Sequence, residues 1–189
     1  MTGGLGAGKS TALAALERLG ASTLSTDAVV HDLYASGELR DAVVERWGTG
    51  VAPEGKVDRK AVAEHAFASE DERRWLEELL WPRVGARMVA WREELAGRDA
   101  PPRAAVVEVP LLFEAGMEGA FDATIAVVAP EEVRANRAGA RGHAAVEERT
   151  GRQLSQDEKA RRATFAVTND GSEEQLERAL SDVLAKLGE

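Results

Sequence analysis

Gly3-Gly4-Leu5-Gly6-Ala7-Gly8-Lys9-Ser10 is the stretch that decides the fold class of this chain. It matches G-x-x-x-x-G-K-[ST], the phosphate-binding P-loop. Glycines let the main chain wrap closely around a phosphate and adopt positive φ. Successive N–H groups, with the N-terminus of the next helix, form an anion cradle. Gly4, Gly6, Ala7, Gly8, Lys9, Ser10 and Thr11 are then the nucleotide-binding residues. Lys9 is expected to reach the β- and γ-phosphates of ATP, and the Ser10 hydroxyl to bind Mg²⁺. The helix that must follow is legible too: Ala12, Leu13, Leu16 and Leu19 share one face of a Lys9–Leu19 helix that Gly20 stops.

Upstream of the loop the usual context is short. A P-loop follows a buried strand, and only Met1 and Thr2 precede Gly3. We expect that the first strand is missing, that the natural product starts upstream, and that restoring the encoded residues raises the melting temperature by several degrees.

Downstream, strands are expected at Ala21–Ser25, Ala104–Val109, Ala123–Val128 and Phe165–Thr168. The Ala104 and Ala123 runs are apolar throughout, as strands covered on both faces of a parallel sheet are. Helices are expected at Ala28–Tyr34 and Glu38–Trp47, from an Asp58 cap through Phe67, and from Ser69 to Gly97 with an interruption at Pro82. Glu131–Ala140 and Ala144–Thr150 read as short arginine-bearing helices. Ser69 with Glu72, Ser155 with Glu158 and Ser172 with Gln175 have capping-box spacing. Strands alternating with helices indicate a three-layer α/β fold with a parallel central sheet.

The 189 residues suit one domain, 44% hydrophobic and 30% charged. There is no cysteine, so disulfides and thiolate metal sites are excluded. Neither a membrane-spanning apolar run nor a signal peptide is legible, and the expected compartment is the cytoplasm. A net charge of −9 argues against nucleic-acid binding. Positive charge is nonetheless concentrated between Arg134 and Arg162, a run that suits either an anionic small substrate or a solvated helical face.

At this point the chain resembles the dephospho-coenzyme A kinase family over nearly its whole length. Thr2-Gly3-Gly4-Leu5-Gly6-Ala7-Gly8-Lys9-Ser10-Thr11 looks like the family's opening. Asp27 matches the second acid of its D-A-D segment, which here is Ser25-Thr26-Asp27. Gly55-Lys56-Val57-Asp58-Arg59 with Phe67 is similar to its G-x-[IL]-D-R…F pattern. Val109-Pro110-Leu111-Leu112-Phe113-Glu114 corresponds to its most discriminating segment, I-P-L-L-[FV]-E. Arg149, Gln153, Lys159 and Asn169-Asp170-Gly171 resemble its tail. Trp81-Pro82 stands where the family has His-Pro, Glu108 where an Asp is frequent, and Thr164 where an Asp is common.

The resemblance implies a single P-loop kinase domain over 1–189, with a helical acceptor-binding subregion at about 36–98 and an arginine-rich lid at about 131–163. It implies transfer of the γ-phosphate of ATP to the ribose 3′-hydroxyl of dephospho-CoA, the last step of coenzyme A biosynthesis. Asp27 is then the acid that orients the hydroxyl, as general base or through Mg²⁺-bound water; an N-cap for the next helix is the plainer reading of the same residue. Arg137, with Arg141 one turn on and Arg149, suits the charge spread over a transferring phosphoryl, or else is surface helix charge. Glu108 joins Ser10 as a metal-side residue, and Leu111, Leu112 and Glu114 join Arg141 and Arg149 on the substrate side. The expected partner is the small molecule alone, without nucleic acid or membrane, and the expected state a monomer or weak homo-oligomer. Two rivals stand beside this reading: a P-loop kinase of another small acceptor, and a noncatalytic nucleotide-binding relative.

Overall fold

The computed structural model describes residues 1–139 and 153–188. The chain divides into two compact units, Met1–Leu24 with Asp99–Glu189, and Ser25–Arg98.

The first unit carries the sheet. Strand β1 (Thr2–Gly3) lies parallel to β4 (Ile125–Val128), and β4 parallel to β5 (Phe165–Thr168), in the order β1-β4-β5. Strands β2 (Ser22–Ser25) and β3 (Ala105–Glu108) form a second, two-stranded sheet. The strand expected to be missing is therefore present as two residues. Met1 itself bonds to β3 and its exit: its amino group donates to Val107 O at 2.6 Å and its carbonyl accepts from Val109 N at 2.9 Å. Main-chain bonds thus run from β3 through Met1 and β1 to β4 where the P-loop departs. Burial pushes the Met1 amino group down from its ordinary 8.0 to about 6, against a smaller opposing pull from the Glu108 charge.

The β-branched run at β4 is buried, with Ala126 and Val127 wholly inside, as a central strand covered on both faces requires. In β5 Val167 is buried while Ala166 and Thr168 are exposed, the alternation of a half-covered edge. Helix α1 (Lys9–Arg18) buries Ala12, Ala15 and Leu16 against Leu176, Leu180 and Val183 of the C-terminal helix α8 (Glu173–Leu187). Ser172 and Gln175 start α8 with a complete capping box. Helices α6 (Glu131–Gly139) and α7 (Gln156–Arg162) also belong to this unit. The helix expected at 144–150 lies outside the described residues.

The second unit is helical: α2 (Thr26–Tyr34), α3 (Gly37–Trp47), α4 (Arg59–Phe67) and α5 (Glu70–Ala96), with two 3-10 turns between α3 and α4. Val43, Val51 and Val62 form its buried centre, flanked by Trp47 and Trp75 packed edge to face at 5.0 Å. Ser36, Asp58 and Ser69 accept main-chain N–H bonds at the starts of α3, α4 and α5. Two expectations need correction here. The Ser69–Glu72 pair makes only the Ser69 half of a capping box in the bonds described, because the Glu72 carboxylate takes Arg46 and the Trp47 indole. Pro82 does not interrupt α5, which runs continuously through it. Proline removes one main-chain donor, the partner of Glu78 O, and crowds the preceding turn, yet the helix is continuous on both sides of it; the Arg83 guanidinium donates to a different carbonyl, Leu79 O, at 2.6 Å. Among the described residues, no helix is long and apolar enough to cross a membrane.

Candidate active site

The P-loop turns from β1 into α1 through two left-handed glycines, Gly6 (φ 74°) and Gly8 (φ 89°). Gly8 occupies the N-cap position of α1, so the helix N-terminus opens directly onto the loop. Ala7 N donates to Gly4 O at 3.2 Å and closes the bend. A side chain is excluded at these glycines by neighbours as well as by φ. A Cβ on Gly6 would stand 2.5 Å from Arg134 O, and one on Gly8 would collide with the Asn169 amide nitrogen.

Lys9, Ser10 and Thr11 open α1. Lys9 Nζ donates to Gly4 O at 3.3 Å and stands 4.0 Å from Glu108 Oε1 at the end of β3. Both side chains are largely enclosed, 14% and 12% exposed, so the pair acts at lower dielectric than a surface pair would. Ser10 is exposed. A hydroxyl and a carboxylate are the hard oxygen donors that Mg²⁺ takes from protein, the rest coming from phosphate and water; Ser10 and Glu108 fit it.

Three contacts hold the loop from outside. Arg134 in α6 donates through Nε to Leu5 O at 2.9 Å, its Nη1 pairing with Glu131 at 2.6 Å. Asn169, directly after β5, donates through Nδ2 to Ala7 O at 2.8 Å while its own N–H bonds Val128 O at 2.7 Å. Arg137 donates to Asn169 O at 3.1 Å, beside Gly8. Arg137 is thus brought to the cradle, whereas Arg141 and Arg149 lie outside the described residues. In the sequence Arg134 stands out only as one basic residue in a run, and Asn169 only as part of the Asn169-Asp170-Gly171 segment that resembles the family's tail. The i, i+3 spacing of Arg134 and Arg137, which puts both on one helix face, was the available signal for the former.

On the other side of β3 the structure separates residues that the sequence grouped. Leu112 is wholly buried and Phe113 nearly so, while Leu111 is 37% exposed. Of the two leucines expected to line a ligand, only Leu111 presents surface. The Glu114 carboxylate is engaged by Lys159 at 3.0 Å and by Leu154 N at 2.8 Å.

Asp27 belongs to the second unit. It lies inside the first turn of α2, whose N-cap is Ser25, and it is exposed. The N-cap reading of Asp27 is therefore wrong: the helix begins one residue before it. His31, in the same helix, stands 3.2 Å from Arg59 through Nδ1, and Trp81 is 47% exposed.

The description of the family model that matches residues 1–175 is dephospho-CoA kinase. The chain belongs to the dephospho-CoA kinase family. It is 37% identical to the dephospho-CoA kinase of Thermus thermophilus, over 99% of this chain and 90% of that one. The corresponding protein of Deinococcus radiodurans is 38% identical with the same coverage. A crystal structure from Thermus thermophilus superposes with a TM-score of 0.79 at 37% identity, covering 98% of this chain and 95% of the other. The dephospho-CoA kinase of Campylobacter jejuni, at 22% identity and a TM-score of 0.61, shares the fold.

Proposed function

We propose that this protein transfers the γ-phosphoryl group of ATP to the ribose 3′-hydroxyl of dephospho-CoA, giving coenzyme A and ADP. The observation that carries the reading is the ready-made phosphate cradle, Gly3–Ser10 braced by Arg134 and Asn169 at the head of α1, in a chain of this family. Phosphoryl transfer asks a protein for position and charge neutralisation more than for covalent chemistry.

Each residue then has a task. The amides of Gly4 to Thr11 bind the phosphates, and Lys9 neutralises the β- and γ-oxygens. Arg137 adds a second cation for the transferring group, with Arg141 and Arg149 serving the substrate phosphates. Asp27 accepts a hydrogen bond from the acceptor hydroxyl and orients it. Leu111 offers apolar surface to the acceptor. Ser10 with Glu108 would hold Mg²⁺, which would supply charge neutralisation to the phosphates when bound. The 36–98 region serves the acceptor and 131–163 acts as the lid, in a cytoplasmic protein working as a monomer or weak homo-oligomer.

The test is ADP release from ATP and Mg²⁺ with dephospho-CoA, AMP or shikimate as acceptor. Dephospho-CoA is expected to drive release well above the other two. Equal release with all three, or none with any, removes the proposal.

A further inference from the structure

Lys159 is the largest wholly buried side chain among the described residues, and nothing so far gives it a task. Its ammonium in α7 reaches three acceptors, two in the turn after β3 and one on strand β1. Pro110 O lies at 2.7 Å, Glu114 Oε1 at 3.0 Å and Thr2 Oγ1 at 3.4 Å. Thr2 Oγ1 in turn donates to Pro110 O at 3.1 Å, and Glu114 Oε1 also accepts from Leu154 N. One cation therefore ties together the strand that enters the P-loop, the turn that leaves β3 just after Glu108, and the segment that enters α7.

Stability alone explains this cluster poorly. A buried ion pair is replaced by well-packed apolar groups at little or no net loss in many proteins. This one also leaves Glu114 Oε2 buried without a hydrogen-bond partner among the described residues, which is unfavourable. What the cluster does supply is register. Thr2 lies immediately before the cradle, and Pro110 immediately before Leu111, the exposed residue of the turn.

We propose that Lys159 is a positioning residue for phosphoryl transfer, holding the Pro110–Glu114 turn in fixed register with strand β1 and the phosphate cradle. It touches neither phosphate nor acceptor in this role. It acts through Pro110, Glu114 and Thr2. Transfer depends steeply on alignment, and misplacement by about 1 Å costs on the order of 100-fold in rate. Binding of each substrate separately does not need that register. The role rests on the kinase reading above.

The deciding measurement is a steady-state comparison of wild type, Lys159→Met, and the double variant Lys159→Met/Glu114→Leu, each also melted by circular dichroism. Lys159→Met is expected to lower kcat by at least about tenfold, with KM for ATP and for dephospho-CoA each within about threefold of wild type. The double variant removes both buried charges, so it folds where the single variant fails, and shows the same kcat loss. A folded variant with normal kcat overturns the role, as does a change confined to either KM. Failure of both variants to fold also overturns it, by making Lys159 a folding residue. Wild type run alongside separates the two claims: failure to phosphorylate dephospho-CoA sinks the acceptor assignment, whereas normal kcat in the variants sinks only Lys159.

Discussion

The phosphate cradle and the start of α2 handle their polar groups in opposite ways. Around Gly3–Ser10, loop carbonyls are claimed by side chains: Gly4 O by the loop's own Lys9, and Leu5 O and Ala7 O by the distant Arg134 and Asn169. At the start of α2, Asp27 is exposed and has no hydrogen-bond or ion-pair partner among the described residues. The first region is organised before any ligand arrives, which is where electrostatic catalysis draws its strength. In the second, a free carboxylate is oriented by whatever binds it. Asp27 is therefore expected to contribute little to folding, and the role proposed for it predicts that its removal registers in chemistry.

That contrast breaks most readily at Asp27. Asp27→Asn is expected to lower kcat on the order of 100- to 10,000-fold, the range for a lost general base, with the melting temperature and ATP affinity nearly unchanged. Retained turnover would reject the role, and a large fall in melting temperature would reject the contrast. Next comes Lys9→Ala, which removes a preorganised cation and should cost roughly 100- to 1,000-fold in kcat. Because Lys9 also binds Gly4 O, this variant should raise KM for ATP as well. An unaffected KM would show that the loop is organised without it.

A smaller effect sharpens the picture of the first unit through β1. The amino group of Met1 is buried, with its value pushed down from 8.0 to about 6. Between pH 6 and 8 the unfolded chain binds a proton that the folded chain does not, so stability rises with pH across that window. It is fully present above pH 8 and is lost as pH falls toward 6. At about 1.4 kcal/mol per unit, the full swing is about 2–3 kcal/mol, readable as a lower denaturant midpoint at pH 6 than at pH 8. A midpoint independent of pH would mean that the amino group is solvated.

Much of the fold was legible because local rules and tertiary needs agreed. The loop motif demands a helix behind it, and the runs around Val106 and Ile125 suit only covered strands. The site was legible where a residue's own neighbours define it, as at Lys9. It was not legible where the partner is remote: Arg134 meets Leu5 across 129 residues and Asn169 meets Ala7 across 162. Nothing in a run of arginines says which one docks. Leu111 and Leu112 are chemically identical neighbours, and only the turn after β3 decides which is buried. At Pro82 the local rule predicts an interruption, yet α5 runs on through it.

The smallest prediction returns to two acids at helix starts in the second unit. Asp27 sits within the first turn of α2 and caps nothing, while the Asp58 carboxylate accepts Lys60 N at 2.9 Å and Ala61 N at 3.4 Å at the head of α4. Asp58→Ala should cost about 1 kcal/mol, which for a chain of this length is a fall in melting temperature of about 2–4 °C. Asp58→Ser, which keeps an oxygen at the cap, should recover most of that loss, whereas Asp27→Ala should lose nothing measurable. Equal losses at the two positions would mean that Asp27 has a structural partner, and its exposure would no longer argue for a role in the reaction.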